Sequence, residues 1–233
     1  VKYKFDWNLV LSGQYGDWVV QGLILTLKIS ALSIVLAMLL GTMVAVFRLS
    51  KVRPLVWFSA GFTEFFRNTP LLVQIFFWYF GSEAVLPKFV NEWLYKHDFE
   101  FAAGCIALTV YTSAFIAEEI RSGIFAIPKN QLEASRAVGL SFVQSYAYVI
   151  LPQAFRIIIP PLISQFLNLI KNSSLVMTIG VADLTYMARQ IESYTFHGFE
   201  SFTVATLIYL CISLVVSITI TMYNKHFLRQ IKY

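Results

Sequence analysis

Long apolar runs dominate the chain, and its polar residues gather in a few short clusters between or inside those runs. A helix that crosses a membrane needs about 20 mostly apolar residues. Five stretches meet that demand: 19–47, 56–80, 101–117, 160–181 and 202–223, the second and fourth carrying polar residues inside them. Trp18, Trp57 and Trp78 fall at the predicted ends, where indole rings favour the membrane–water interface. The pattern predicts an all-α integral membrane protein with five transmembrane helices. Segments 82–100 and 182–201 mix acids with aromatics and predict short surface helices. No linker or repeat divides the chain. The predicted organisation is therefore an N-terminal segment 1–17, one membrane domain 18–224 and a basic tail 225–233.

Composition narrows the class. Of the 233 residues 58% are apolar and only 13% charged, with mean hydropathy +0.66. A soluble domain carries about 25% charged residues, so a water-soluble enzyme and a disordered chain are both excluded. The net charge of +5 does not signal nucleic acid, because membrane proteins concentrate Lys and Arg in their cytoplasmic loops. Three separate segments hold ten basic residues: Arg48, Lys51 and Arg53; Arg121, Lys129, Arg136 and Arg156; Lys225, Arg229 and Lys232. The other side holds five (Lys2, Lys4, Lys88, Lys96 and Arg189) and nine of the 13 acids. The positive-inside rule places the ten in the cytoplasm and the N-terminus outside. The first 17 residues are mixed polar and aromatic, so no cleavable signal peptide is predicted. Cys105 and Cys211 sit in apolar runs without metal-ligand spacing and read as small core residues.

Ionisable groups inside spans cost roughly 2.5–3.5 kcal/mol each on insertion scales, and usually face a bundle interior or a water-filled path. The second span carries Glu64, Arg67, Asn68, Thr69, Pro70 and Gln74. Glu64 and Arg67 have the spacing of a helical ion pair, and Pro70 predicts a broken helix whose freed carbonyls need polar partners. The other reading is a structural pair near the interface. The fourth span carries Ser164, Gln165, Asn168, Lys171, Asn172, Ser173 and Ser174. Ser164, Asn168, Lys171 and Asn172 share one helix face, which reads as a wet cavity or as helix–helix glue. Arg67 and Lys171 against Glu64, with Lys28 near the outer end of the first span, leave the interior net positive and favour an anionic solute. Glu118 and Glu119 are adjacent and read as a solvated helix end. The chain has no G-x-x-x-x-G-K-[ST], no H-E-x-x-H and no G-x-S-x-G, so no phosphate cradle or catalytic motif is present.

Residues 131–152 predict a compact hairpin. Gly139 supplies a left-handed turn after a first short helix. Ser141 caps a second, bearing Phe142, Tyr146, Val149 and Ile150, which Pro152 closes. Such a protrusion suits docking to a partner or packing on its own bundle. The residues alone leave open a solute transporter, such as a secondary transporter driven by an ion gradient, and a membrane scaffold.

The hairpin also carries a resemblance. Glu133-Ala134-Ser135, then Gly139, then Val149-Ile150-Leu151-Pro152 is similar to the loop motif of the membrane subunits of bacterial ABC importers, with Ser135 and Val149 as departures. The runs 64–74, 117–124 and 171–175 resemble the polar amino acid importers in the same order, and Asn130 stands where that family usually has Gly. Thr178-Ile179-Gly180-Val181 and Glu200-Ser201-Phe202-Thr203 are most similar to the glutamate/aspartate permeases. Glutamine, histidine and arginine importers share much of the pattern. The resemblance implies a type I importer permease fold with a cytoplasmic coupling loop at about 118–159, in a bacterial inner membrane. It implies coupling to the ATPase through Glu133, Ala134, Ser135 and Gly139. The polar residues inside the second and fourth spans mark the expected pathway: Glu64, Arg67, Asn68, Thr69, Pro70, Gln74, Asn168, Lys171, Asn172, Ser173 and Ser174. The implied partners are a dimer of ATP-binding subunits that holds ATP-Mg, a second permease chain, a periplasmic amino-acid-binding protein and the bilayer. The chain itself would hold no cofactor.

Overall fold

The computed structural model describes residues 3–228, and every regular element among them is helical. In chain order these are α1 (Trp7–Leu11), α2 (Gly13–Leu49), α3 (Arg53–Asn68), α4 (Leu71–Val85), α5 (Lys88–His97), α6 (Phe99–Phe125), α7 (Lys129–Ala137) and α8 (Phe142–Ser145). A π turn (Tyr146–Ile150) then leads into α9 (Leu151–Asn172) and a 3₁₀ segment (Ser173–Ile179), followed by α10 (Leu184–Thr195) and α11 (Gly198–Leu228).

Four helical stretches are long and apolar enough to span a bilayer: Gly13–Leu49, Phe99–Phe125, Phe142–Ile179 and Gly198–Thr219. The expected second span is realised differently. It breaks into α3 and α4, with Thr69 and Pro70 in extended conformation between them. At 15 residues, α4 is roughly 22 Å long, short of the bilayer's hydrocarbon thickness of about 30 Å. The fourth span also begins earlier than expected. Pro152 does not close a helix but sits in the first turn of α9, where the missing N–H removes little. The preceding π turn lets one continuous rod run from Phe142 to Ile179. Pro160 and Pro161 lie inside α9 and are carried through without a break, as membrane helices allow. Residues 13–17 join α2 rather than the N-terminal segment. Residues 229–233 of the predicted tail lie outside the described residues.

The bundle is organised around α6, which packs against α2, α3, α4 and α9. The apolar window of α6 is 61% buried against 11% for that of α11, so α6 is the axis and α11 lies at the periphery. Small residues permit the closeness. In α2, Gly22, Thr26, Ser30, Ser33, Ala37 and Gly41 are all buried along one face, the small-residue seam that draws membrane helices together. A Cβ on Gly41 would lie 2.7 Å from Ile116 of α6, and one on Gly123 only 2.2 Å from Ile158 of α9. The expected surface helices are α5 and α10. The latter starts on Asp183, whose carboxylate accepts from the Tyr186 N–H at 2.9 Å and from the Tyr209 hydroxyl at 3.0 Å. Thr26 Oγ1 accepts from the Leu184 N–H at 3.0 Å, tying α10 to α2.

Candidate functional site

The helix break between α3 and α4 is satisfied from within. Gln74, almost fully buried, brings its Nε2 to 3.0 Å from the Phe66 carbonyl, 3.2 Å from that of Thr69 and 2.7 Å from Thr69 Oγ1. These groups are the ones a proline break strands, so Gln74 acts as an internal cap. Glu64 and Arg67 do not form the expected ion pair. Glu64 Oε2 instead accepts from Asn68 Nδ2 at 3.1 Å, and the same amide donates to the Glu64 carbonyl at 2.7 Å. Asn68 lies on the face below Glu64, whereas Arg67 points to α6, its Cζ 5.4 Å from the centre of the Phe115 ring. Capture by an aromatic face keeps the cation in place without neutralising it. Among the described residues Arg67 has no ion pair.

Phe115 also lines a cavity of about 270 Å³ between α6 and α9, with Tyr111, Thr112, Gln165, Asn168, Leu169 and Asn172. The amides of Asn168 and Asn172 have no hydrogen-bond partner among the described residues, and stand i, i+4 on α9. Free amides and a phenol can together hold a small polar molecule. The structure therefore brings Asn168 and Asn172 together on one space, while Arg67 lies outside its lining and approaches it only through the Phe115 ring. Lys171 is exposed, has no ion pair among the described residues and lies outside the cavity lining. Ser173 is buried and Ser174 half-buried, and both donate back to their own helix, to Ile170 and Lys171 carbonyls at 2.8 and 2.7 Å. Thr69 likewise donates to the Phe65 carbonyl at 2.9 Å.

Sequence reasoning missed the α6 wall. Tyr111, Phe115 and Glu119 recur at i, i+4, i+8, one face of a helix, and that spacing was the available signal. Glu118 and Glu119 are not a solvated end. Both are half-buried within α6, Glu118 paired with Arg121 at 2.6 Å and Glu119 accepting from Gln165 Nε2 at 3.4 Å. A larger cavity of about 690 Å³ lies among Tyr79, Glu83, Tyr95 and Asp98, at the α4–α5–α6 corner and away from these polar groups.

The hairpin has the geometry its sequence predicts. Gly139 adopts φ +93°, its N–H bonded to the Arg136 carbonyl at 3.0 Å and that of Leu140 to the Ser135 carbonyl at 3.2 Å. Arg136 donates to the Leu140 carbonyl at 2.7 Å. Ser141 and Gln144 form a reciprocal capping box. Glu133, Ala134 and Gly139 are exposed, as are Val138, Val143 and Tyr148. Ser135 is turned inward and donates to the Leu132 carbonyl at 2.8 Å. Beneath the hairpin a cavity of about 510 Å³ separates it from the ends of α2 and α6.

Comparison with known proteins agrees with this architecture. Residues 33–229 match the family model described as "Binding-protein-dependent transport system inner membrane component". The probable glutamine ABC transporter permease GlnM of Bacillus subtilis (strain 168) is 42% identical over 200 residues, 86% of this chain and 88% of that protein. The glutamate/aspartate import permease GltJ of Escherichia coli (strain K12) is 33% identical over 235 residues, 95% of each chain. A crystal structure of an amino acid ABC transporter with histidines superposes with TM-score 0.85 at 32% identity, covering 97% of this chain and 100% of that one. The chain therefore belongs to the binding-protein-dependent transport system inner membrane components, the permeases of amino acid ABC importers.

Proposed function

We propose that this chain is one half of the membrane pathway of an ATP-driven importer for glutamate or aspartate, with its N-terminus outside and its hairpin in the cytoplasm. The observation that carries the coupling is the hairpin itself. It joins α7 to the start of the long rod Phe142–Ile179, is fixed between them by a glycine turn and a capping box, and exposes Val138, Val143 and Tyr148 beside Glu133 and Ala134. Exposed apolar residues on a rigid, capped turn suit a groove on another subunit. A dimer of ATP-binding subunits, holding ATP-Mg, would occupy that place. A docked element transmits force only through contacts that differ between two states, and a capped hairpin transmits displacement without bending. Ser135 is turned inward and bonds within its own helix, to the Leu132 carbonyl, and so stiffens the first hairpin helix.

Arg67, Asn168 and Asn172 are the pathway groups, with Lys171 a second cation beside Asn172. Glu64, Asn68, Thr69, Pro70 and Gln74 shape the break that sets Arg67 toward α6. Ser173 and Ser174 keep the 3₁₀ segment closed on itself. A periplasmic amino-acid-binding protein would deliver the solute, and a second permease chain would complete the pathway. The 42% identity to a permease named for glutamine favours glutamine as the second reading, since an unpaired Arg67 serves the α-carboxylate of either. The test is ATP hydrolysis by the reconstituted complex with its binding protein. Stimulation by glutamate or aspartate supports the first reading, stimulation by glutamine alone the second, and ATP hydrolysis indifferent to amino acids removes both.

A further inference from the structure

The half-enclosed cavity of about 510 Å³ under the hairpin has no part in the solute pathway. Its volume is in the range of ligand sites, about 300–1,000 Å³. The walls are mostly apolar: Leu49 at the end of α2, Ile124 and Phe125 at the end of α6, and Leu132 and Phe142 from the hairpin. Two charged side chains, Lys129 and Glu133, belong to the same lining. They stand i, i+4 on α7, neighbours on one helix face with Cβ atoms about 5–6 Å apart. Both are exposed, and neither has an ion pair among the described residues. At 27 residues, α6 is roughly 40 Å long, close to the thickness of a bilayer with its headgroups, about 40–45 Å. Its Phe125 end, and the cavity with it, therefore comes to headgroup level on the hairpin side. Tyr146, whose ring packs on that of Phe142 at 4.6 Å, adds a phenol to the lining, a group enriched at membrane interfaces.

We propose that this cavity binds one membrane lipid with a phosphoethanolamine head, drawn from the leaflet on the hairpin side. The phosphate meets the Lys129 ammonium, the primary ammonium of the head meets the Glu133 carboxylate, and an acyl chain lies along the apolar walls. An apolar slot with one cation and one anion at its rim is complementary to a zwitterionic amphiphile. The ethylene linker of the head keeps its two charges as close together as α7 keeps its own pair. Both contacts are charge-assisted hydrogen bonds. A choline head has no N–H to donate to Glu133, and a glycerol head brings no cation. A lipid seated there ties the base of the hairpin to the ends of α2 and α6. The inference rests on the membrane class of the chain and holds whichever solute is carried.

The experiment uses the full transporter complex in mild detergent, with bound lipid counted by native mass spectrometry. The probes are phosphatidylethanolamine, phosphatidylcholine and phosphatidylglycerol with identical chains, and glycerophosphoethanolamine, the head without chains. The wild type is expected to bind phosphatidylethanolamine about tenfold more tightly than the other two lipids, and the chain-free head far more weakly. Lys129→Met should remove that preference, and Lys129→Arg, which keeps the charge, should retain it. Phe142→Asp places a charge on the apolar wall at an exposed position. It should lower the binding of phosphatidylethanolamine as well, and it decides the matter if Lys129→Met does not assemble. Equal binding of the three lipids by the wild type, or an unchanged preference in Lys129→Met and Phe142→Asp, would leave only unspecific lipid around the bundle and overturn the proposal. Binding of the chain-free head as tightly as the lipid would make this a site for a soluble phosphoester. Absence of lipid from the assembled wild-type complex would give the cavity to the ATP-binding partner. Either result overturns the proposal. Amino-acid-stimulated ATP hydrolysis is measured separately, so a failure of the transport reading stays distinct from a failure of the lipid site.

Discussion

Gly139 holds φ at +93° with open space where a side chain would sit. Only the backbone, not crowding, demands glycine there. A left-handed β-branched residue costs about 1–2 kcal/mol, and relief would come by untwisting the hairpin. Gly139→Val should therefore leave membrane abundance intact while ATP-dependent uptake is lost; uptake at the wild-type rate in an assembled complex would refute the coupling role. Asp183 supplies a pH-dependent case. It is fully buried at the start of α10, and burial raises its carboxyl from 3.8 to about 6 despite the hydrogen bonds that pull it down. The folded protein holds this proton more tightly than the unfolded chain. Its contribution to stability is thus fully present below about pH 4 and is lost as pH rises through about 6, by about 3 kcal/mol at 1.36 kcal/mol per unit. The unfolding temperature in detergent should show that fall, and Asp183→Asn should lack it. An equal slope in both proteins would place the titration elsewhere.

At the scale of elements, the break between α3 and α4 shows how a local rule and its repair come from neighbouring residues. Pro70 stops α3, and Gln74 reaches back from α4 to the carbonyls that the break exposes. Gln74→Glu preserves shape but removes both N–H donors. Stranding such buried acceptors costs about 1–3 kcal/mol, so the unfolding temperature should fall, and Gln74→Leu should cost a similar amount. A neutral result for both would mean that water already serves those carbonyls. The break, the left-handed glycine and the Ser141 cap were all legible in the sequence because each depends on residues within five positions. The ion pair between Glu64 and Arg67 was not, although its spacing allowed it. A guanidinium on an exposed face chooses the partner another helix presents, and α6 presents the Phe115 ring. Pro152 misled for a related reason: a π turn before it supplied room that periodicity does not report.

For the whole molecule, orientation is the property most open to direct test. With Cys211 replaced by Ser, a cysteine in place of Val90 should react with an impermeant thiol reagent added outside intact cells. One in place of Asn130 should react only after the membrane is opened. The reverse pattern would turn the bundle over and move the hairpin to the wrong compartment for an ATPase. The sequence by itself determined the membrane class, four of the five expected long apolar helices, the helix break, the glycine turn of the hairpin and the family resemblance. Those features follow from composition, from runs of apolar residues and from short-range backbone rules. Only the tertiary structure decided that α6 is the axis, that Arg67 turns to Phe115, that Lys171 lies outside the cavity and that Glu119 meets Gln165. Those outcomes depend on which helix faces meet, and helices of similar hydropathy do not reveal their partners. In this bundle the small side chains of α2 and the close contact of Gly123 with Ile158 fix how far each helix advances toward α6, and with that, which polar groups share the space left between them.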